Sequence, residues 1–122
     1  MTHALEVYSE DQLIFFDDEK WLHPLFKLEQ FLTEKRVNPA ALTVKDKIIG
    51  KAAALMIVRL KIGTVNAGLI SVPAIDAFKR FGVTFEFQTC VDRIDCATEA
   101  LLIDEWDVEK AYLLLRRRAG FE

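Results

Sequence analysis

DKIIGKAAALMIVRL, residues 46–60, is the stretch whose reading decides the fold. Past Lys51 it is apolar on almost every side, the pattern of a helix enclosed by other elements. The spacing predicts a helix over 46–61. Its start has a different character. Asp46, Lys47, Gly50 and Lys51 gather in the first turn, where a helix presents backbone N–H groups without intrahelical partners. Lys47 and Lys51 stand four apart and would share one face, so with the helix dipole they could receive an anion such as a phosphate or carboxylate. Asp46 competes for the same N–H groups as a cap.

Downstream, Gly63 suits a helix C-cap, and Val65–Ile70 reads as a short, charge-free buried strand. Ser71-Val72-Pro73 opens a helix that runs 73–81 and ends at Gly82. Residues 83–88 alternate strictly, with Val83, Phe85 and Phe87 on one face and Thr84, Glu86 and Gln88 on the other. That is a strand with one wet face, near a sheet edge and able to pair with another copy. Thr89–Asp95 is a polar loop. Cys96 starts a helical segment with Glu99 one turn on, and Asp107 caps a final helix to about Arg118. Arg116-Arg117-Arg118 resembles a nucleic-acid patch, but three arginines suit the negative end of a helix dipole.

Upstream, ALEVY (4–8) and QLIFF (12–16) flank Ser9-Glu10-Asp11, the pattern of a β-hairpin. His23-Pro24 opens the first helix, since proline at a first helical position gives up only an N–H that had no partner. Leu25, Leu28 and Leu32 form its apolar stripe, and Asn38-Pro39 closes it. Ala41–Lys45 is a short extended segment. The alternating order predicts one α/β domain over 1–122, a mixed sheet with helices on both faces.

Composition narrows the function. The chain has 122 residues, 52% hydrophobic, with 16 Lys+Arg against 19 Asp+Glu, enough for one real core. A formal charge of -3 gives no general attraction to nucleic acid or acidic membranes. The longest apolar run, Ala52–Val58, is far short of the roughly 20 residues of a spanning helix. The first residues lack the basic start and apolar stretch of a signal peptide. A soluble cytoplasmic protein is expected, with Cys90 and Cys96 as free thiols.

Several chemistries fail on spacing. A P-loop needs a glycine five residues before its Gly-Lys and a Ser or Thr after it, but Lys45 and Ala52 stand there. His3, His23, Cys90 and Cys96 do not form ligand-type pairs, so no metal centre and no cofactor is expected. A thiol at a helix start is acidified and more reactive; Arg93 supports that effect at Cys96, while Asp92 and Asp95 oppose it.

The block Asp46-Lys-Ile-Ile-Gly-Lys-Ala-Ala-Ala-Leu55, the strand 65–70, the Ser71-Val72-Pro73 start and Cys96 with Glu99 three positions later resemble a domain-of-unknown-function family of small prokaryotic proteins. That family is grouped with the cytidine deaminase-like superfamily. The resemblance covers about residues 5–103 and leaves the helix at 107–118 as an addition; Ala97 stands where the family pattern has proline. It implies a three-layer α/β/α sandwich with a mixed sheet. Zinc deaminases carry His or Cys, then x-Glu, at one helix start and Pro-Cys-x-x-Cys at the next. Gly50-Lys51-Ala52 and Ser71–Ile75 hold neither, so the resemblance implies the fold without the zinc chemistry.

The expected site is therefore a small-molecule pocket where the starts of helices 46–61 and 73–81 converge, lined by Asp46, Lys47, Gly50, Lys51 and Ser71. By fold analogy its ligand is nucleoside- or nucleotide-like, or a simple anion. If a reaction occurs, Cys96 is the nucleophile, Glu99 the acid/base and Lys51 the anion partner. Two other readings stand beside it: a thiol-based sensor through Cys96 with Cys90, and a non-catalytic homo-oligomer formed through the strand at 83–88.

Overall fold

The computed structural model describes residues 2–94 and 97–121. Within them the chain is α/β, with a five-strand mixed sheet and five α-helices. The order is β1 (Leu5–Ser9), β2 (Gln12–Asp17), α1 (His23–Lys35), β3 (Leu42–Ile49), α2 (Lys51–Leu60), β4 (Thr64–Ser71), α3 (Val72–Phe81), β5 (Thr84–Val91), α4 (Ala97–Leu101) and α5 (Val108–Arg118). The strands lie in the order β2-β1-β3-β4-β5. β1 is antiparallel to both neighbours, while β3, β4 and β5 run parallel.

The opening stretch divides differently from the helix predicted over 46–61. Residues 42–49 are a strand, and the helix begins only at Lys51. Within LTVKDKII, Leu42 and Val44 alternate into the core, and the strand pairs on both sides, Val44 with Val7 of β1 and with Val65 of β4. Two ladders of backbone hydrogen bonds outweigh a weak local preference for helix. Gly50 is the junction, extended at φ -96° and serving as the N-cap of α2. Two further boundaries move. β5 continues to Val91, through residues read as loop. The cap of α2 is Lys61, in the left-handed region at φ 64°, rather than Gly63.

Gly63 answers a different need. A Cβ there would sit 2.1 Å from the carbonyl oxygen of Ala40, and its N–H donates to the carbonyl of Pro39. Gly63→Ala must therefore push two backbone segments apart. We expect it to cost about 2–3 kcal/mol, the range of core overpacking, read as a lower urea midpoint with unchanged slope.

Seven consecutive residues of α2, Lys51–Ile57, are buried. A run that long covers the whole circumference of a helix, so α2 needs cover on every side. It has the sheet below it, α1 and α3 alongside, and α5 packed along it. Arg59 ties these helices together. It bonds Glu29 of α1 at 2.6 Å and Glu109 of α5 at 3.1 Å, and its guanidinium lies 3.5 Å from the ring centre of Tyr112.

The connections β2-α1-β3, β3-α2-β4 and β4-α3-β5 all step across the sheet in one direction. Right-handed crossovers then put all three helices on one face. The other face carries Glu6, Lys45, Asn66 and Glu86 in a single row. With Tyr8, Lys47 and Gln88 they line a broad, shallow depression bordered only by strand residues and Thr2. The second helical layer expected on that face has no counterpart among the described residues. A sheet wound on both faces must reverse its strand order somewhere, and the parallel part of this one does not. Among the described residues no helix is long and apolar enough to cross a membrane.

Candidate functional site

Three polar side chains sit at the starts of α2 and α3 and are almost sealed from solvent: Lys51 and Ser71 at 0% exposure and Glu99 at 1%. The Glu99 carboxylate is the hub. Its Oε2 accepts from the backbone N–H of Lys51 at 2.7 Å and from the Ser71 hydroxyl at 2.7 Å; its Oε1 accepts from the Ile94 N–H at 2.6 Å. Ser71 in turn caps α3, its oxygen accepting from the Ala74 N–H at 3.3 Å. An anion is stabilised at a helix start by unpaired N–H groups and the dipole. Here the chain supplies that anion itself. Gly50 makes room for it, because a Cβ at that position would stand 2.9 Å from Glu99 Oε2.

Lys51 sends its side chain elsewhere. Its Nζ donates to the carbonyl of Ile103 at 3.0 Å and lies 3.7 Å from the ring centre of Trp106, which Arg80 also covers at 4.3 Å. Burial holds the Lys51 amine below the ordinary lysine range, while Asp104 and Glu105 pull it part of the way back. The amine and the carboxylate thus pin the 97–106 segment across the starts of α2 and α3, and Lys51 and Arg80 each make a cation–π contact with Trp106.

Of the residues expected to line one pocket, Gly50, Lys51, Ser71 and Glu99 are together, around this carboxylate. Lys47 and Lys51 do not share a helix face: Lys47 is an exposed residue of β3, and only Lys51 belongs to α2. Asp46 likewise caps no helix. It sits in β3, opposite Leu5 of β1 and Ala67 of β4. Cys96 lies outside the described residues. Cys90 is an exposed free thiol on β5.

The open space is next door, on a different pair of helix starts. A cavity of about 440 Å³ lies between the β2–α1 connection and the β3–α2 junction. Its walls include Leu22, Leu25, Ala52 and Ala53, and it borders Gly50 and Glu99. Asp46 contributes a carboxyl to it. Burial pushes that carboxyl up to about 7 from an ordinary 3.8, although the N–H groups of Ile48 and Lys47 partly oppose the shift. Trp21 stands at the rim, 42% exposed, with its backbone in the left-handed region at φ 61°. A bulky residue held there is uncommon and marks a constrained loop. Trp21 and Ile94 escaped the sequence reading; a tryptophan two residues before His23-Pro24 was the one available signal. His23 itself does not line the cavity and packs edge-on against Trp21. Among the described residues no group of three or more His, Cys, Asp or Glu side chains is placed to hold a metal ion.

Fold and site together define a small α/β protein with a partly apolar cavity at the carboxyl end of a parallel strand. The chain belongs to the family described as "TM1506: Domain of unknown function (DUF1893)", which matches residues 3–118. It is similar to the crystal structure of the DUF1893 family protein TM1506 from Thermotoga maritima, with a TM-score of 0.83 and 26% identity over 94% of this chain and 80% of that one. No curated protein matches it.

Proposed function

We propose that this protein binds a small, planar, nitrogen-bearing ligand of nucleobase or nucleoside type in the cavity between the starts of α1 and α2, with Asp46 as its polar anchor. The observation that carries the reading is the placement of the desolvated Asp46 carboxyl on a cavity of about 440 Å³ that combines the apolar walls of Leu22, Leu25, Ala52 and Ala53 with the charged residues Asp18, Glu19, Lys20 and Lys47. That volume falls within the range of small-molecule sites, in which a few polar groups orient a ligand among apolar walls. A carboxyl group can accept from one ligand N–H and, when protonated, donate to a ring nitrogen, the pairing an aminopyrimidine or aminopurine edge presents. Trp21 at the rim offers a stacking surface.

The scaffold belongs to the same proposal. A strand order of 2-1-3-4-5, with β1 antiparallel to its neighbours and β3, β4 and β5 parallel, fits the sheet of a cytidine deaminase-like fold carrying one helical layer among the described residues. In zinc deaminases consecutive helix starts carry the metal ligands. Here the start of α2 is Gly50-Lys51-Ala52, bound to Glu99 instead. Lys51 is not available to a phosphate, because its N–H and Nζ are both engaged within the chain, which leaves Lys20 and Lys47 as the cavity's other lysines. Glu99, held by three hydrogen bonds within the chain, serves in this reading to fix the helix starts that border the cavity.

Thermal unfolding in the presence of cytosine, adenine, cytidine, adenosine, uridine and their phosphates tests this. A ligand at a hundredfold excess over its Kd adds about 2.7 kcal/mol, a rise of roughly 10 °C for a domain of this size. We expect that rise with an amino-bearing base or nucleoside, and its loss in Asp46→Asn. No shift with any of them would overturn the reading.

A further inference from the structure

The two edges of the sheet are built differently. β2 is the defended edge: its register with β1 slips between Val7 and Tyr8, and it ends in Asp17, with Asp18 directly after it. An irregular register and flanking charge discourage another strand from adding there. β5 has no such protection. It runs for eight residues, TFEFQTCV, without a proline, a lysine or a bulge, and carries one charge, Glu86. Residues 86–90 are all exposed. Its outer row of backbone N–H and C=O groups meets no other strand in the sheet.

A second observation lies on the helix side of the same edge. A line of aromatic rings leads outward from the core. Buried Phe78 contacts Phe85 at 5.6 Å, and Phe85 stacks on Phe87 at 6.4 Å, where exposure reaches 45%. Phe81, at the end of α3, is 39% exposed. An unprotected strand and an exposed aromatic row beside it would be covered together by a strand adding to β5.

We propose that β5 pairs antiparallel with β5 of a second copy across a two-fold axis, joining two five-strand sheets into one of ten strands. The partner is a second copy because the strand complements itself. Antiparallel pairing keeps helix-facing residues opposite helix-facing residues. The two registers that use nearly the whole strand centre on Phe87 or Gln88. Centred on Phe87, Glu86 faces Gln88 of the other copy; centred on Gln88, it faces Cys90. In both, the sole charge of the strand avoids its own kind, and the aromatic rows of both copies meet on one side. Isologous contacts of this sort close as a dimer and do not propagate.

Glu86 and Gln88 lie on the open polar face, away from the core and the cavity, so charges can be exchanged there without disturbing the fold. In either register the double variant E86K/Q88K sets lysine against lysine, and Q88E sets glutamate against glutamate. Sedimentation of the wild type over a hundredfold concentration range should give a dimer. Each variant alone should show a dimer Kd at least tenfold weaker, with unchanged circular dichroism and melting of the monomer. Mixing the two variants should restore association as a heterodimer, since opposite charges then face each other in both registers. A wild type monomeric at every concentration would overturn the proposal. So would a dimer indifferent to the two variants, or a mixture that fails to reassociate.

Discussion

Glu99→Ala is expected to destabilise this protein by about 3–5 kcal/mol, the cost of removing one partner from a buried charged network. The substitution strands three donors, the N–H groups of Lys51 and Ile94 and the hydroxyl of Ser71, two of them on fully buried residues. A buried donor left unpaired costs about 1–3 kcal/mol. At roughly 4 °C per kcal/mol for a domain of this length, the melting temperature should fall by more than about 10 °C. Glu99→Gln keeps the shape and one acceptor, but sets an NH₂ group against at least one donor, so it should recover only part of the loss. The pair separates the electrostatic role of Glu99 from its volume. A loss below about 1 kcal/mol in the alanine variant would mean that the starts of α2 and α3 are held by packing alone.

Asp46→Asn should change the pH dependence of stability more than its magnitude at any single pH. In the unfolded chain the carboxyl titrates near its ordinary 3.8, and in the folded protein near 7. Between those values the folded state holds a proton that the unfolded state has lost. The contribution of Asp46 is therefore fully present below about pH 4 and declines as pH rises through 7. Asp46 keeps some contact with solvent, so the loss is set at about 2–3 kcal/mol, below the full value of a three-unit shift. Asparagine cannot ionise. Its variant should gain stability over wild type at pH 8, match it near pH 4, and show a flatter urea-midpoint profile between them. Parallel profiles for both proteins would place the Asp46 carboxyl in water. A base-type ligand that pairs with the ionised carboxyl would also steady wild type most at the higher pH, which links this measurement to the binding screen.

The elements of the chain were legible because their signals are local. The hairpin around Glu10, the proline at the start of α1, Ser71 and Gly82 bounding α3, and Asp107 capping α5 each rest on neighbouring residues. The stretch 42–50 was not, because its strand state is decided by β1 and β4, which lie far away in sequence. That one boundary moved Asp46 and Lys47 from a helix start to a strand, and with them the expected anion site. Gly50, Lys51 and Ser71 were expected to meet where helix starts converge, and they lie together around Glu99. That Glu99 itself fills the anion position could not be read from spacing, since 48 residues separate it from Lys51.

By itself, the sequence determined an α/β chain with a mixed sheet, an enclosed central helix and a polar cluster at that helix's start. Those properties follow from periodicity, capping and turn chemistry, which act over a few residues at a time. The tertiary structure alone decided which strand carries Asp46, that all three crossover helices share a face, and that the cavity opens between α1 and α2 rather than α2 and α3. These depend on the direction in which successive crossovers step and on which buried donors an acidic side chain reaches. Both are settled only when distant segments compete for the same ladder and the same N–H groups.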